Sequence, residues 1–451
     1  MTTLSSAKTF DVSCAAPKSP KPKTESLKLP RMLRHRHRVL GFLILLFAIT
    51  YIDRVCISVA GPRMQEDLGI SPVAWGWVTA MFTLSYCLFE IPTGAMGDRL
   101  GPRLVLTRIV AWWSAFTALT GAVSNYTLLL FVRFLFGAGE AGAFPNASIV
   151  VARWFPPTQR ASVSGVLLMA SQIGGALAPL LVLPIQIRYG WRVSFFVFGA
   201  IGVFWALGWY VWFRDSPSAK SGVSQSELAE LSGASVTPAH GFPWRAALRS
   251  ETAMATLGTA FCYVYVYTFY QTWFHTFLVK GRGFSEGSLF LSALPYAVAA
   301  CANVAGGMTS DAMVRRLGLK WGRRSLGIVG LGSACVFTIA VMFTRDHVLT
   351  VVLLTLVYAA ITFQQSGVFG VCLDIGKNHA GSVIGLMNTS AQVGGFISSL
   401  AFGYIVDWFG NYDAPFVPMA TLLGVGALLW LRIDASTPIG VSEPEAGVQA
   451  L

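Results

Sequence analysis

Residues 161–175 read ASVSGVLLMASQIGG and residues 381–395 read GSVIGLMNTSAQVGG, so a shift of 220 residues aligns two related segments. Six of the fifteen aligned positions are identical, and they include a glutamine and the Gly-Gly pair two residues after it. Shared hydrophobicity alone does not supply an identical polar residue at an identical spacing. The repeat therefore predicts two similar halves, each carrying this segment at the same place.

The composition of the whole chain is that of a membrane protein. Of its 451 residues, 54% are hydrophobic and only 12% are charged, whereas soluble domains carry about a quarter charged residues. Twelve stretches are continuously apolar over a length that crosses a bilayer as a helix, unlike the alternating strands of a membrane barrel. They cover residues 39–60, 74–95, 104–123, 127–150, 162–186, 192–213, 251–279, 287–309, 325–344, 349–372, 383–406 and 414–432.

The sequence thus predicts an all-α polytopic membrane protein with twelve transmembrane helices in two pseudo-symmetric six-helix bundles. The repeated segments then form the fifth helix of each bundle, as expected for halves related by an axis along the membrane normal. The predicted domains are a basic disordered cytoplasmic tail (1–38), an N-terminal bundle (39–213), a cytoplasmic linker between the bundles (214–250), a C-terminal bundle (251–432) and a cytoplasmic tail (433–451).

The 33 Lys and Arg residues predict an orientation. When the stretches alternate across the membrane, 25 of these residues fall on the side of the N-terminus, six fall on the other side, and Arg54 and Arg133 fall within stretches. Basic loops stay in the cytoplasm, so both termini are predicted to be cytoplasmic and the protein to lie in the plasma (inner) membrane. The net charge of +12 then reflects topology and contacts with membrane lipids, and no nucleic-acid partner is expected.

The N-terminal tail and the cysteines carry little further signal. Residues 1–38 are rich in Lys, Pro and Ser and lack the apolar core of a signal peptide. A tail that faces lipid headgroups is the favoured interpretation, and an organellar transit peptide is the alternative. The seven cysteines are scattered, so no disulfide, metal site or cofactor is implied.

Two loops at corresponding places in the halves share a pattern of Gly, Asp and Arg. Residues 97–103 read GDRLGPR, and the Ser-Asp pair at 310–311 precedes several arginines up to position 324. Asp pairs across helix ends, and Arg reaches a carboxylate or a lipid phosphate. A gating role is predicted, and anchoring by positive charge alone is the alternative. The predicted gating residues are Asp98, Arg99, Arg103 and Asp311.

Four ionisable residues lie within predicted spans, Asp53 and Arg54 in the first and Arg133 and Glu140 in the fourth. Each costs about 2.5–3.5 kcal/mol to insert, so each needs a partner or a use. Arg133 and Glu140 are seven residues apart and share a helix face, and both arginines are expected about 9 Å below the outer boundary. Arg matches a carboxylate and stays charged, whereas Asp and Glu exchange protons. The set predicts transport of an anion with protons, and permanent salt bridges between helices are the alternative.

The twelve stretches, the duplicated halves and the GDRLGPR loop resemble the major facilitator superfamily. Residues 51–54 (YIDR), 89–94 (FEIPTG) and 133–142 (RFLFGAGEAG) are similar to its anion:cation symporter family. That family includes proton-coupled permeases for galactonate, hexuronates and glucarate, and relatives that move phosphate or sialic acid. The resemblance implies that Arg54 contacts the substrate acid, that Asp53 and Glu140 handle the proton, and that Arg133 partners the proton site. It also implies sugar-acid contacts from Tyr51, Tyr86, Gln271, Asn388 and Ser390.

Other polar residues within spans are open to two interpretations. Gln172 and Tyr270 are predicted substrate contacts, although a polar residue in a membrane helix more often bonds a neighbouring helix. The resembling family commonly has Pro where this chain has His275, and a satisfied hydrogen bond there is favoured over a titrating group. For Glu90, a hydrogen bond near the gate is favoured over a substrate role.

Together these features predict a secondary transporter that takes up a small organic anion, such as a hexonate, hexuronate or aldarate, with protons by alternating access. A functional monomer is expected. The chain is not expected to be an enzyme, because no constellation of nucleophile, base and metal ligands appears. The alternative is an exporter or exchanger of other organic anions or amphipathic compounds within the same superfamily.

Overall fold

A computed structural model describes residues 34–231, 244–377 and 380–439, which are nearly all helical. Seven α-helices of the first half are described, but α4 and α5 form one span that is broken at Gly142, where φ is 85°. The first half therefore crosses the membrane six times. Its helices are α1 (His35–Asp67), α2 (Pro72–Leu100), α3 (Pro102–Ala122), α4 (Tyr126–Glu140), α5 (Ala143–Trp154), α6 (Pro157–Tyr189) and α7 (Trp191–Trp212).

The second half follows a partly helical linker, with a 3-10 turn (Pro217–Ala219), α8 (Gln225–Leu231) and α9 (Trp244–Arg249). Its long helix α12 is two spans joined at Gly318, where φ is 77° and ψ is 171°. The elements are α10 (Glu251–Thr272), α11 (Phe274–Thr276), a π-helical turn (Phe277–Gly281), a 3-10 stretch (Glu286–Ala293), α12 (Leu294–Phe343), α13 (His347–Gly376), α14 (Ala380–Phe409), α15 (Phe416–Leu429) and a 3-10 turn (Trp430–Arg432).

With α10 and α11 taken as one span, the second half also crosses six times, and the predicted twelve-helix, two-bundle fold is confirmed. By length and composition, eight helical stretches of the described residues suffice to span a membrane, and the one from Phe290 to Phe343 contains the two spans around Gly318. Hydropathy marked the apolar part of each span and missed the polar turns that extend it. The hydropathy-based prediction therefore ends the first span near residue 60, whereas α1 continues to Asp67.

The repeated segments lie in α6 and α14, and they pack in the same way in both halves. Gly174 of α6 faces the backbone of Ala48 in α1, and Gly394 of α14 faces the backbone of Phe261 in α10. At each place a Cβ atom would collide with a carbonyl oxygen. The repeat is therefore the contact that holds the fifth span of each half against the first span, as small residues do in membrane bundles.

The halves pack closely at one end of the molecule and are also bonded further along α2 and α14. We call the end where α1 starts the tail-side end, and the end where α1 stops at Asp67 the far end. At the far end α2 and α14 run antiparallel, with Gly76 against the backbone of Ser399 and Gly403 against that of Pro72. The described side chains that hydrogen-bond between the halves are Ser58 with His275, Gln65 with Thr276 and Lys280, Trp75 with the carbonyl of Thr272, Trp77 with Tyr404, Tyr51 with Tyr267, Gln172 with Tyr358, and Glu90 with Asn388.

The linker is docked on the start of α1. Glu230 of α8 accepts hydrogen bonds from the guanidinium groups of Arg34 and Arg36 at 2.7 Å, and these bonds hold the pKa of Glu230 below its ordinary value. Glu227 accepts from the backbone N–H of Arg36 at 3.1 Å. Residues 35–38, predicted to close the N-terminal tail, form the first turn of α1. The rest of that tail up to residue 33, positions 232–243 of the linker and positions 440–451 of the C-terminal tail lie outside the described residues.

Candidate functional site

A cavity of about 660 Å³ lies between the two halves. Its wall is largely aromatic and apolar, with charged and polar groups from α1, α2, α4, α10 and α14. It reaches past Glu90 to Ser148 and Gly385, near the tail-side ends of α5 and α14. The charged residues on its wall are Arg54, Arg133, Glu90 and Glu140.

An ion pair between α1 and α4 forms the centre of the site. Arg54 Nε donates to Glu140 Oε1 at 2.5 Å, and the Glu140 side chain is only 1% exposed, against 14% for Arg54. The second carboxylate oxygen of Glu140 has no hydrogen-bond partner. The Arg54 guanidinium lies 5.5 Å from the ring centre of Tyr51 and 4.9 Å from that of Tyr86. This cation is therefore held by one carboxylate and an aromatic frame, and it faces the cavity.

Arg133 is a second cation on the same wall, and no carboxylate of the described residues lies within ion-pair distance of it. Its guanidinium packs 4.5 Å from the ring centre of Phe136 and 5.2 Å from that of Phe82. Arg54 lies 5.2 Å from the same Phe82 ring. The two predicted cations therefore converge on one aromatic ring.

The predicted depth of Arg54 needs correction. Because α1 continues to Asp67, Arg54 lies thirteen residues from the end of its helix, or about 20 Å, rather than about 9 Å. Arg133 lies seven residues from the start of α4, or about 10 Å. Both side chains still reach the Phe82 ring, which stands between them.

Asp53 is buried beside this wall and is not part of the cavity lining. Neither of its carboxylate oxygens has a hydrogen-bond partner, although the indole of Trp113 lies next to it. Arg133 and Glu140 are its charged neighbours. A buried carboxylate without hydrogen bonds is costly in its charged form.

Glu90 is the third acidic side chain of the site. Both of its oxygens accept from Asn388 Nδ2, at 2.7 and 2.8 Å, so α2 of the first half is bonded to α14 of the second. Glu90 lies 18 residues after the start of α2, about 27 Å along the helix, which places this bond nearer to the tail-side end. The expected hydrogen bond of Glu90 is present, and its partner is a predicted substrate contact.

The structure divides the other predicted substrate contacts into two groups. Tyr51, Tyr86, Gln271 and Asn388 line the cavity with Arg54. Three others are engaged elsewhere: Gln172 accepts from Tyr358 at 3.4 Å, Tyr270 donates to the carbonyl of Leu354 at 2.7 Å, and Ser390 donates to the carbonyl of Leu257 at 2.9 Å. These three hold helices together in this conformation.

The cavity also has polar residues that the sequence did not single out. Tyr263 and Tyr267 line it from α10, on the same face as Gln271. Their spacing of four residues was the available signal, because residues four apart lie on one side of a helix. Tyr267 meets Tyr51 across the halves, with 3.2 Å between the hydroxyl oxygens.

Two of the predicted gating residues, Arg103 and Asp311, lie in networks within their own half. Arg103 donates from its backbone N–H to Asp215 at 2.7 Å and from its guanidinium to the carbonyl of Tyr210, which ties the start of α3 to the end of α7. Arg99 is exposed, and the side chain of Asp98 lies outside the described part.

The corresponding network of the second half is built on one arginine. Arg323 bonds Asp374 at 3.0 Å and Ser310 at 2.6 Å, whereas Asp311 is 68% exposed and lies 3.8 Å away. Arg323 therefore ties the two spans of α12 to α13, with Asp311 at the edge of the network.

His275 joins the halves near the far end. Its Nδ1 lies 3.0 Å from the hydroxyl of Ser58 in α1, and its Nε2 lies 2.7 Å from that of Ser292. The ring is fully buried. The helix also breaks here, between α10 and α11 at Trp273, so this span bends without a proline.

Comparison with known proteins agrees with this architecture. Residues 43–399 match the model of the Major Facilitator Superfamily. A probable sulfoacetate transporter of Cupriavidus necator is 35% identical, over 93% of this chain and 98% of the relative. The hexuronate transporter of Bacillus subtilis is 30% identical, over 89% of this chain and 96% of the relative.

A solved bacterial homologue of the human lysosomal transporter Spinster has the same fold. Its TM-score is 0.71 at 22% identity, over 88% of this chain and 96% of that one. The resemblance drawn from the repeat, the GDRLGPR loop and the charged spans is thus confirmed. The chain is a multi-pass membrane protein that belongs to the Major Facilitator Superfamily.

Proposed function

We propose that this protein takes up a small organic anion of the sugar-acid class together with protons, by alternating access. The observation that carries the proposal is the Arg54–Glu140 ion pair on the wall of a cavity between two pseudo-symmetric halves. The names of the relatives from Cupriavidus necator and Bacillus subtilis, which refer to sulfoacetate and to hexuronate, support an organic anion as the substrate.

Coupling follows from competition for Arg54. While Glu140 is ionised it occupies the guanidinium, and removing one partner of a buried ion pair costs about 3–5 kcal/mol. When a proton neutralises Glu140, Arg54 becomes a buried cation without an ion partner, and the acid group of the substrate takes the place of the Glu140 carboxylate and offsets that cost. The anion and the proton therefore bind together.

Asp53 is a second site that can take up a proton, and Arg133 is the cation beside it. The Asp53 carboxylate lies beside Arg133 and has no hydrogen bond. A proton on Asp53 leaves Arg133 as a cation facing the cavity, which adds to the attraction for an anion. Protonation of both carboxylates thus prepares the cavity for the anion, and release of the protons expels it.

The described contacts between the halves support a conformation that is closed at the far end. The described hydrogen bonds between the halves lie from the Glu90–Asn388 pair to the far end, and the cavity extends past Glu90 toward the tail-side ends of α5 and α14, as far as Ser148 and Gly385. With both termini in the cytoplasm and the protein in the plasma membrane, this conformation gives access from the cytoplasm. A functional monomer suffices, because the cavity is formed within one chain.

Uptake into proteoliposomes tests the proposal. Substrates are first selected by thermal stabilisation of the purified protein with sugar acids, dicarboxylates, phosphate and sialic acid. Wild-type protein is then expected to accumulate the selected anion under an inward proton gradient, and a protonophore is expected to abolish the accumulation. Glu140→Gln is expected to lose accumulation but to retain exchange of labelled for unlabelled substrate, since exchange needs no net proton release.

Glu251→Gln is the matched control, because Glu251 pairs with Arg432 on the surface and is 68% exposed. It is expected to transport like the wild type. Undiminished accumulation by Glu140→Gln, or by wild-type protein without a proton gradient, contradicts the coupling. The second result points to the alternative function, an exchanger or exporter of organic anions.

A further inference from the structure

The charges on the cavity wall are unevenly matched. Glu140 compensates Arg54 within an ion pair. Glu90 is held only by the neutral amide of Asn388, and no cation of the described residues lies within ion-pair distance of it. The cavity therefore has a carboxyl group that forms no ion pair with any described residue, and Arg54 and Arg133 are the cations on the same wall.

The hydrogen bonds of Glu90 leave acceptor sites on its carboxyl group unused. Both oxygens lie within hydrogen-bond distance of the same Asn388 nitrogen, at 2.7 and 2.8 Å. Two carboxylate oxygens offer about four acceptor sites, so sites remain for hydrogen bonds from a ligand. Because Glu90 lines the cavity, the donors that it lacks can come from the substrate.

Arg54 and Glu90 line the same cavity about one helical turn apart along α2. The Arg54 guanidinium lies over the ring of Tyr86, which precedes Glu90 by one turn of α2, about 6 Å along the helix axis. A substrate whose acid group binds Arg54 thus has its other end near Glu90. A hydroxyl group at that end donates to the carboxylate, whereas a second acid group faces a like charge.

We propose that Glu90 selects the substrate class: the transported anion has a single acid group, with hydroxyl donors at its other end, and Glu90 disfavours dianions. This inference rests on the function proposed above. It favours hexonates and hexuronates, which carry one carboxylate, over aldarates with two carboxylates and over sulfoacetate with a sulfonate and a carboxylate. Arg54 binds the acid group of the substrate, and Glu90 contacts the opposite end of the substrate.

D-gluconate and D-glucarate are a matched pair of probes, because they have the same carbon chain and differ in one terminal group, a hydroxyl or a carboxylate. Their dissociation constants are measured by thermal stabilisation and by competition at pH 7, where both compounds are fully ionised. Wild-type protein is expected to bind gluconate at least tenfold more tightly than glucarate. Glu90→Gln, which keeps the size and a hydrogen bond to Asn388, is expected to reduce this ratio at least fivefold by tightening glucarate.

The outcomes separate this inference from the proposed function. Equal binding of both compounds by the wild type overturns the role of Glu90 while leaving sugar-acid transport intact, and this measurement needs no variant. An unchanged ratio in Glu90→Gln also overturns it. Failure of both compounds to bind the wild type contradicts the sugar-acid class and the inference together. Glu251→Gln is expected to show the wild-type ratio.

Discussion

The close packing of α2 against α14 makes the conformation of the transporter sensitive to a single methyl group at Gly76. The Cβ of an alanine there would lie 2.8 Å from the carbonyl oxygen of Ser399 and 3.5 Å from the Cα of Leu400. Both are backbone atoms, so neither can rotate away, and the helices must separate by about 0.6 Å to restore an ordinary contact. Overpacking of this kind costs about 1–3 kcal/mol.

In the proposed alternating-access cycle, this cost falls on only one of the two states, because the far ends separate in the other. A change of about 1–3 kcal/mol shifts the ratio of the two states by about 5–150-fold. We therefore expect Gly76→Ala to enrich the conformation that is open at the far end. The substitution also adds helix propensity, about 0.5–1 kcal/mol, but it does so in both states.

Distances between spin labels at positions 66 and 348 measure the opening, since both positions are exposed at the far end. Gly76→Ala is expected to populate a longer distance than the wild type does. Gly332→Ala is the control, because a Cβ at Gly332 of α12 meets nothing within 4 Å. A distance distribution for Gly76→Ala that matches that of Gly332→Ala refutes the steric argument.

Three other features give predictions of their own. Arg323→Gln leaves Asp374 without its ion partner, so we expect a lower melting temperature in detergent, whereas Arg432→Gln, which affects an exposed pair, leaves it unchanged. His275→Ala removes the bond across the halves to the buried hydroxyl of Ser58, and an unpaired buried group costs about 1–3 kcal/mol. The same spin labels are therefore expected to report a longer distance at the far end. An unchanged distance contradicts a role of the Ser58–His275 bond in holding the halves together. Because the pKa of Glu230 is lowered, docking of the linker on α1 is complete at neutral pH and is lost as the pH falls through that pKa. Cleavage of the linker by an acid-active protease is expected to rise in that pH range. Glu230→Gln is expected to be undocked at every pH and to show no such rise.

The spans and the pseudo-symmetry were predictable because their signals are local. The length of an apolar stretch predicts a span. A glycine that packs on a neighbouring backbone cannot be replaced by a larger residue, so Gly174 and Gly394 are identical in the two halves and the repeat is detectable in the sequence. The break of the fourth span was not predictable. Several glycines surround Glu140, and only the fold determines that Gly142 takes the left-handed conformation, with φ of 85°.

The site was predictable where burial of charge is costly and unpredictable where the direction of a polar side chain matters. Arg54 and Glu140 had to have a partner or a function within the membrane, and they have each other. Tyr270 and Tyr267 are both polar and close in sequence, yet only Tyr267 faces the cavity, because three residues turn the helix by about 60° away from the same face. That difference depends on how α10 is rotated against its neighbours, which no local pattern specifies.

The placement of charges suggests how the halves move without losing their own structure. Ion pairs in which both side chains are described lie within one half or between α1 and the linker. The described bonds across the far end are mainly between neutral groups, such as Ser58 with His275 and Gln65 with Thr276. A neutral hydrogen bond contributes about 0.5–1.5 kcal/mol net, since water replaces the partner. In the proposed cycle, opening the far end therefore exchanges weak bonds for water, while ion pairs outside the cavity, such as Arg323 with Asp374, hold each bundle together.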